Sequence, residues 1–253
     1  MTQPTIVVPI HDGFAALRDC IASLRRTLPR DARVELVDDA SKDPAVGALL
    51  DELERDPPWQ LRVVRQRDNL GFVGTVNAAF GRCAGDVLLL NSDTVTTAGW
   101  LDRMLRCAAS DPRIATITPF SNNAEICSFP ELCRAAAVPA DPERVARAFA
   151  ANEPMYPELP TAVGFCMYVR GAAVAQVGAF DAATFGRGYG EENDFCMRVA
   201  GHGWRNVLCD DAYVVHVGGV SFSAVGLKPG GENLARLVAR YPRYNALVAD
   251  FIA

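Results

Sequence analysis

Over the first 120 residues, short apolar runs rich in β-branched residues alternate with longer segments whose apolar residues recur at helical spacing. The runs predict strands at 5–10, 33–37, 61–64, 87–90 and 114–118, and the segments predict helices at 14–28, 44–53, 72–83 and 97–109. Such alternation is typical of α/β proteins in which a mostly parallel, Rossmann-like sheet is flanked by helices. A chain of 253 residues is long enough to bury the core of one such domain.

Polar residues follow each of the first four predicted strands, at 11–12, 38–39, 66–69 and 91–93. In doubly wound sheets, ligands bind beyond the carboxyl ends of the strands. Because the four clusters converge on one edge of the sheet, we expect a ligand crevice there.

The pattern changes between about 120 and 160, where frequent prolines indicate loops around one short helix at 142–151. Beyond it the sequence predicts a strand at 165–169, a helix from about 191 to 202 and one or two strands within 207–217. A C-terminal helix is predicted at 232–251, where Pro242 should kink or interrupt it. No internal repeat separates these parts, so we expect a single domain.

The turn after the first strand, Pro9 to Gly13, has one glycine where a dinucleotide-binding fold has Gly-x-Gly-x-x-Gly, and a P-loop is also missing. A phosphate ligand therefore needs another means of binding. We expect a divalent cation, Mg²⁺ or Mn²⁺, because these ions bridge carboxylates and phosphates. The net charge of −5 argues against nucleic acid as a partner, since that affinity comes mainly from Lys and Arg on phosphates.

The eight cysteines contain no Cys-x-x-Cys pair and mostly lie in apolar surroundings, so we expect reduced, buried thiols and a cytoplasmic protein. No apolar stretch approaches the ~20 residues of a membrane span. Residues 1–4 lead directly into a strand, without an expected targeting segment. At most we expect peripheral contact with the inner face of the membrane, through the basic C-terminal helix with Arg236, Arg240 and Arg243; a solvated surface helix is the alternative.

Three groups of side chains suit chemistry at this edge. Asp93 follows a buried strand and suits a ligand crevice, although an Asx turn or helix cap is the alternative. Glu191, Glu192 and Asp194 open a helix; one carboxylate suffices to offset its dipole, whereas crowded carboxylates raise one another's pKa and suit a general base. His216 leaves a strand beside two glycines and suits a metal ligand, or else is an ordinary core or surface residue.

In this order, the motifs resemble those of the family 2 glycosyltransferases, which have the GT-A fold, over about 5–120 and 160–220. The matching segments are the strand 5–10 opening on His11 and Asp12, the turn Asp38-Asp39-Ala40-Ser41-Lys42-Asp43, the segment Asn69-Leu70-Gly71-Phe72 with Asn77, the Asp-x-Asp-like Asn91-Ser92-Asp93, the Glu-Asp-x-Asp-like Glu191-Glu192-Asn193-Asp194, and His216-Val217-Gly218-Gly219. Each motif alone is moderately specific, and the ordered set carries the resemblance.

On the donor side, the resemblance implies that Asp39 hydrogen-bonds the nucleobase of a nucleoside-diphosphate sugar while Asp38 supports the turn. It also implies that Asp93 and His216 ligate the divalent metal on the diphosphate. The other donor-binding positions that it implies are Pro9, His11, Asn69, Gly71, Phe72, Asn77, Asn91 and Ser92.

On the catalytic side, the resemblance implies that Glu192 is the general base, supported by Glu191 and Asp194. Two positions depart from the family pattern. Asn91 replaces the first Asp of Asp-x-Asp, so that Asp93 carries more of the metal binding, and the base position is Glu where the family has Asp. The implied reaction is one in-line displacement, which inverts the anomeric carbon.

We expect the single domain 1–253 to divide into a donor half at 1–118, an acceptor and catalytic half at 119–220, and a C-terminal helical segment at 221–253. Aromatic faces stack on sugars, although ordinary core packing is the alternative for each aromatic residue. The candidate acceptor-side residues are Trp100, Phe165, Tyr189 and Trp204.

The resemblance therefore implies a metal-assisted inverting glycosyltransferase whose acceptor is a saccharide or lipid-linked glycan of a bacterial cell surface. Two alternatives stay open. The first is a non-catalytic nucleotide-sugar or glycan-binding module of the same fold, against which the intact carboxylates and His216 argue. The second is a sugar-phosphate nucleotidyltransferase, which normally has a Gly-rich loop with Arg or Lys after the first strand.

Overall fold

The computed structural model describes residues 3–186, 188–218 and 231–253. Gly219, the last residue of the 216–219 motif, and 221–230 of the predicted C-terminal segment lie outside the described residues. The helices and strands are β1 (Thr5–Ile10), α1 (Phe14–Thr27), β2 (Arg33–Asp38), α2 (Pro44–Arg55), β3 (Gln60–Arg65), α3 (Gly71–Arg82), β4 (Val87–Leu90), β5 (Thr94–Val95), α4 (Trp100–Ser110), β6 (Ile114–Phe120), α5 (Pro142–Ala150), β7 (Cys166–Val169), α6 (Gly171–Val177), α7 (Ala182–Phe185), α8 (Glu191–Gly201), β8 (Arg205–Tyr213), β9 (Val215–His216), α9 (Gly231–Arg240) and α10 (Tyr244–Ile252).

Seven strands form one sheet in the order β3-β2-β1-β4-β7-β6-β8. Strands β1 to β4 pair in parallel and β6 pairs in parallel with β8, whereas β7 runs antiparallel to both β4 and β6. The expected α/β fold with a mostly parallel sheet is confirmed. Strand β7 is antiparallel because 121–165 leaves β6 at the carboxyl edge of the sheet and re-enters there, which also keeps this segment beside the expected crevice.

Side chains of successive residues in each strand point to opposite faces of the sheet, and each face has its own apolar cluster. Ile6, Val8 and Ile10 of β1 join the cluster that contains α1, α2 and α4, while Val7 joins the cluster that contains α3, α6 and α8. The sheet is therefore buried on both faces, and only its edges and strand ends reach solvent.

Local sequence signals fix the start of two helices. The side chain of Asp43 accepts a hydrogen bond from the Ala45 N–H at 2.9 Å before α2, and Asp141 does the same for Arg144 before α5. Each cap is followed by a proline at the first helical position, where its fixed φ suits the helix and its missing N–H costs nothing.

Two predicted helices differ from the observed ones, and two observed helices were not predicted. Helix α4 begins at Trp100 rather than at 97, because 94–95 forms β5 and Gly99 adopts a left-handed conformation before the helix. The predicted C-terminal helix is two helices, α9 and α10, since Pro242 has no N–H for an intrahelical bond. Helices α6 and α7 were not predicted, because seven and four residues are too few to display helical periodicity.

The apolar side of the C-terminal helices packs against the rest of the domain. Leu237 and Tyr244 are 1% and 8% exposed and contact Phe185. The apolar side of α9 is therefore not free for the peripheral membrane contact that we expected of the C-terminal helix, because Leu237 is already buried. Within the described residues, the helices are too short or too polar to cross a membrane. All eight cysteines are free, and six of them are buried, as expected.

Candidate active site

A cavity of about 260 Å³ opens at the carboxyl ends of β1, β2 and β4, where the sequence predicts a crevice. Residues from 123–125, 163–165 and 189–192 complete its walls. The sequence-predicted residues that line this cavity are Pro9, His11, Asp39, Asn69, Gly71, Phe72, Asn91, Ser92, Asp93, Phe165, Tyr189, Glu191, Glu192 and His216.

Carboxylates join the loops after β1 and β2. Asp38 Oδ1 accepts a hydrogen bond from the Ser41 N–H at 2.9 Å. Asp12 Oδ1 accepts hydrogen bonds from the N–H groups of Lys42 and Asp43, at 2.6 and 2.9 Å. Asp38 thus stabilises the turn and does not line the cavity, so a direct donor contact by its side chain is not part of this arrangement.

The Asp39 carboxylate, 4% exposed, faces the start of α3. Its Oδ1 accepts a hydrogen bond from the Leu70 N–H at 2.7 Å, and its Oδ2 accepts one from the Gly71 N–H at 2.8 Å. A carboxylate at a helix N-terminus is favourable, because it offsets the helix dipole. Each oxygen keeps a second lone pair that can accept a hydrogen bond from a nucleobase. That contact to a nucleobase stays a prediction.

His11 and Asn69 form a second link across this side of the cavity. His11 Nδ1 lies 2.9 Å from the Asp39 carbonyl oxygen, and Asn69 Nδ2 lies 3.0 Å from His11 Nε2. Because a carbonyl oxygen only accepts, His11 Nδ1 carries the hydrogen and Nε2 accepts from Asn69. The donor side of the cavity is therefore a connected polar network.

The short strands β5 and β9 bring Asp93 beside His216. Thr94 pairs with His216 in an antiparallel register, and the Val217 N–H donates to the Asp93 carbonyl at 3.0 Å. As a result, His216 Nε2 lies 3.4 Å from Asp93 Oδ1. The two residues that the resemblance assigns to a metal are thus neighbours in the fold.

The other contacts of His216 fix its ring. Nδ1 lies 2.6 Å from the Asn123 carbonyl oxygen, and the ring stacks on Phe165 with 5.1 Å between centroids. Since a carbonyl only accepts, Nδ1 carries a hydrogen and Nε2 is the atom that faces Asp93. Burial lowers the pKa of His216, but the Asp93 carboxylate and the Asn123 carbonyl raise it more, so the pKa lies above its usual value.

These donor atoms suit a divalent cation. When His216 is neutral, the Nε2 lone pair and the Asp93 carboxylate face each other, which a shared cation stabilises. Mg²⁺ usually keeps several waters and binds one or two carboxylates together with substrate phosphates, so two protein ligands are sufficient. The described parts of the chain contain no group of three or more His, Cys, Asp or Glu side chains that could hold a metal ion.

Helix α8 begins with two carboxylic acids in different surroundings. Glu191 is 2% exposed, and its Oε2 has no hydrogen-bond partner among the residues described here. Glu192 is half-buried, and its Oε2 accepts from the Gly190 N–H at 3.3 Å. Burial raises the pKa of both groups, and the neighbouring Glu192 charge raises that of Glu191 further. Glu192 is therefore the more acidic of the two carboxyl groups.

Asp194 lies on the side of α8 away from the cavity. It is fully buried and accepts hydrogen bonds from Arg198 Nε at 2.7 Å, Arg240 Nη1 at 2.7 Å and the Tyr241 hydroxyl at 2.9 Å. Asp194 therefore connects α8 to α9 and does not contact the cavity, so any support that it gives Glu192 acts through the helix.

Three further predicted residues lie elsewhere. Asn77 hydrogen-bonds the backbone of Phe180 in both directions, at 2.8 and 3.0 Å, and so joins α3 to the loop before α7. Trp100 is fully buried in the core, and Trp204 packs on the α3, α6 and α8 cluster with its Nε1 donating to Gln176 at 2.8 Å. These three side chains do not line the cavity, so the donor role of Asn77 and the acceptor roles of Trp100 and Trp204 stay predictions that the cavity does not support.

The polar residues after β6 also belong to the site, although they were not predicted from the sequence. Asn122 holds β9 through hydrogen bonds to the backbone N–H and carbonyl of His216, both at 3.0 Å. Asn123 positions the His216 ring, and Glu125 lines the cavity. The signal was present, because Ser121 to Asn123 form a fifth polar cluster directly after a strand.

Several solved structures share the fold of this chain over nearly its whole length. GalNAc-T7 with UDP, GalNAc and Mn²⁺ matches at a TM-score of 0.71 and 14% identity, over 96% of this chain and 50% of that chain, so this chain spans half its length. The S. aureus TarS fragment 1–349 in complex with UDP-GlcNAc matches at a TM-score of 0.64 and 16% identity, over 99% and 72% of the chains. The Pyrobaculum calidifontis mannosyltransferase PcManGT with GDP-Man and Mn²⁺ matches at a TM-score of 0.63 and 16% identity, over 100% and 73%.

A sequence relative is the N-acetylglucosaminyl-diphospho-decaprenol L-rhamnosyltransferase of Mycobacterium tuberculosis, which is 27% identical over 84% of this chain and 75% of its own length. The model of Glycosyl transferase family 2 matches residues 5–175. That match covers β1 to α6 and includes the loops that carry Asp39 and Asp93. The chain is therefore a glycosyltransferase with the GT-A fold, and it belongs to glycosyl transferase family 2.

Proposed function

We propose that this enzyme transfers a sugar from a nucleoside diphosphate to a hydroxyl group of a saccharide acceptor, with inversion at the anomeric carbon. One observation carries the proposal. The Asp93–His216 pair and Glu192 line a single cavity, so a donor diphosphate at the pair brings its sugar toward the carboxylate that faces the cavity. A module that only binds glycans has no need of two adjacent carboxyl groups with raised pKa values, Glu191 and Glu192, on the cavity wall.

The donor side is proposed to be formed by 1–118, through the network of Asp39, His11 and Asn69. The structural neighbours bind UDP, UDP-GlcNAc and GDP-Man, which makes a nucleoside-diphosphate sugar the donor class to test. The acceptor and catalytic residues are then supplied by 119–220, with Phe165 acting as the stacking support of His216 rather than as a sugar platform.

In the proposed reaction, the acceptor hydroxyl oxygen bonds to the anomeric carbon while the bond from that carbon to the diphosphate oxygen breaks. Glu192 takes the hydroxyl proton as the new bond forms, and Glu191 holds its own proton against Glu192. Because attack and departure occur on opposite faces, the product has the inverted anomeric configuration.

Asp93 and His216 are the residues proposed to hold Mg²⁺ or Mn²⁺. Such an ion, when bound, neutralises negative charge on the leaving nucleoside diphosphate. The neutral Asn91 makes Asp93 the sole anionic ligand of the Asn91-Ser92-Asp93 turn, so we expect weaker metal binding without nucleotide than with it.

The Mycobacterium tuberculosis relative suggests the substrates to try first. By analogy with its name, the donor is a nucleoside-diphosphate L-rhamnose and the acceptor is a saccharide on a polyprenyl diphosphate, as in cell-surface glycan assembly. A lipid-linked acceptor brings the enzyme to the membrane surface through the substrate.

The test is a thermal-shift matrix of nucleoside-diphosphate sugars with Mn²⁺, with Mg²⁺ and with EDTA, repeated on D93N. We expect one donor to raise the unfolding midpoint only with the metal, and the rise to be lost in D93N, because ligands that bind the folded state stabilise it. Product analysis follows with the stabilising donor. Release of nucleoside diphosphate supports transfer, whereas release of pyrophosphate from a nucleoside triphosphate would establish a nucleotidyltransferase instead.

A further inference from the structure

A second cavity, of about 290 Å³, adjoins the first one, and we call it the outer cavity. The two cavities share Glu125, Val163, Tyr189 and Glu192 as wall residues, so Glu192 stands in the partition between them. The far wall of the outer cavity comes from α9 and α10, beyond the 5–175 segment that matches the family.

The walls of the outer cavity combine apolar and uncharged polar groups. Ile126 and Leu237 are 4% and 1% exposed, and Val248 extends the same apolar surface. On the opposite side, Asn193 Nδ2 donates to the Thr161 hydroxyl at 2.7 Å, which orients the amide and leaves its Oδ1 for a ligand hydroxyl or N–H group. An apolar surface facing a few fixed polar groups is typical of small-molecule sites.

The charges of the outer cavity exclude a phosphate. Its charged wall residues are Glu125 and Glu192, and no Lys, Arg or His occurs among the described residues that line it. A diphosphate needs cationic partners or a metal, whereas two carboxylates repel it. The donor diphosphate is already proposed to bind at the Asp93–His216 pair in the first cavity, so donor binding does not require the outer cavity.

We propose that the outer cavity binds the uncharged sugar ring of the acceptor, with the ring's apolar face on Val248 and its polar edge toward Asn193, so that one hydroxyl reaches Glu192. This inference rests on the proposed glycosyl transfer. The anionic diphosphate of a lipid-linked acceptor then stays outside this cavity, and the enzyme recognises the acceptor sugar without its phosphate.

The cavity can be filled without touching the catalytic residues. Leu234 lies on its wall and is 39% exposed, so L234W adds bulk at the cavity with little demand on the core. The next residue of α9, Ala235, is exposed and does not line the cavity, which makes A235W the matched control. For each protein we would measure donor hydrolysis by water, acceptor KM and the thermal midpoint. The acceptor probes are phenyl N-acetylglucosaminide, which is uncharged, and N-acetylglucosamine 1-phosphate.

We expect L234W to raise the KM of the phenyl glycoside at least about 10-fold while donor hydrolysis changes less than about 2-fold, and A235W to leave both unchanged. The wild type should use the uncharged glycoside at least as well as the sugar phosphate. Use of the sugar phosphate alone, or of neither probe, or an unchanged KM in L234W, would overturn the inference. Failure of the proposed function is distinct, because donor hydrolysis would then be missing from the wild type as well.

Discussion

Replacing Arg240 by alanine removes the connection between the C-terminal helices and the helix that carries the catalytic carboxylates. The Arg240 guanidinium lies 2.7 Å from Asp194 Oδ1 and 3.0 Å from Asp181 Oδ2, and it also donates to the Thr184 hydroxyl at 3.0 Å. R240A therefore leaves Asp194 with Arg198 and Tyr241 as its remaining partners.

The expected cost follows from the burial of the two partners. Removing one partner of a buried ion pair costs about 3–5 kcal/mol, whereas an exposed pair contributes about 0–1 kcal/mol. This pair lies between those cases, because Asp194 is fully buried while the Arg240 side chain is 38% exposed and Arg198 remains in place. We expect R240A to lower the free energy of unfolding by about 2 kcal/mol. The thermal midpoint should then fall by about 4–8 °C for a chain of this length.

The assay compares the thermal unfolding of R240A with that of R236A, and circular dichroism is the signal that monitors unfolding. Arg236 lies one turn earlier on α9, and its ion pair with Glu232 is exposed, so R236A should change the midpoint by less than about 2 °C. D194N combined with R240A should show a coupling energy of at least about 1 kcal/mol. Equal midpoints for R240A and R236A, or strictly additive effects of R240A and D194N, would show that Arg240 does not stabilise the buried Asp194.

Two further predictions concern the cavity walls. Burial and the Glu192 charge raise the pKa of Glu191 above 4.5, so ionisation of Glu191 destabilises the folded state at pH values above that point. E191Q should therefore match the wild-type midpoint at pH 4 and exceed it at pH 8, and parallel pH profiles would contradict this. Gly218 has a φ of 75°, and a Cβ added there would clash with Asn123 Nδ2, so G218A should weaken metal-dependent donor binding in a calorimetric titration. G203A, at a φ of 83° with no atom within 4 Å, should leave donor binding intact, and equal binding by both variants would argue against Asn123 as the support of His216.

Local patterns predict the first half of the fold because each signal there is contained in one element. The β-branched run of β1 and the Asp43-Pro44 start of α2 need no distant partner to be recognised. The carboxyl-edge rule then places His11, Asp39 and Asp93 together, since parallel neighbours end at the same edge.

The remaining features depend on contacts that periodicity does not encode. Strands β5 and β9 have two residues each, so their pairing, which joins Asp93 to His216, has no sequence signature. Aromatic character alone does not distinguish Trp100, which fills the core, from Tyr189, which lines both cavities. The outer cavity takes wall residues from α8, α9 and α10, and the break between α9 and α10 at Pro242 is the one part of this arrangement that the sequence indicates.

We have proposed that Glu192 takes the acceptor proton in a cavity where Asp93 and His216 hold the donor diphosphate. The most direct measurement is kcat for transfer at saturating donor in E192Q, together with the donor Kd. The matched control is E125Q, since Glu125 lines the same cavity without the Glu191 partner. We predict that kcat falls at least about 100-fold in E192Q, with the donor Kd within about 2-fold of wild type, and that E125Q keeps most of its activity. Undiminished transfer by E192Q would show that Glu192 is not the general base.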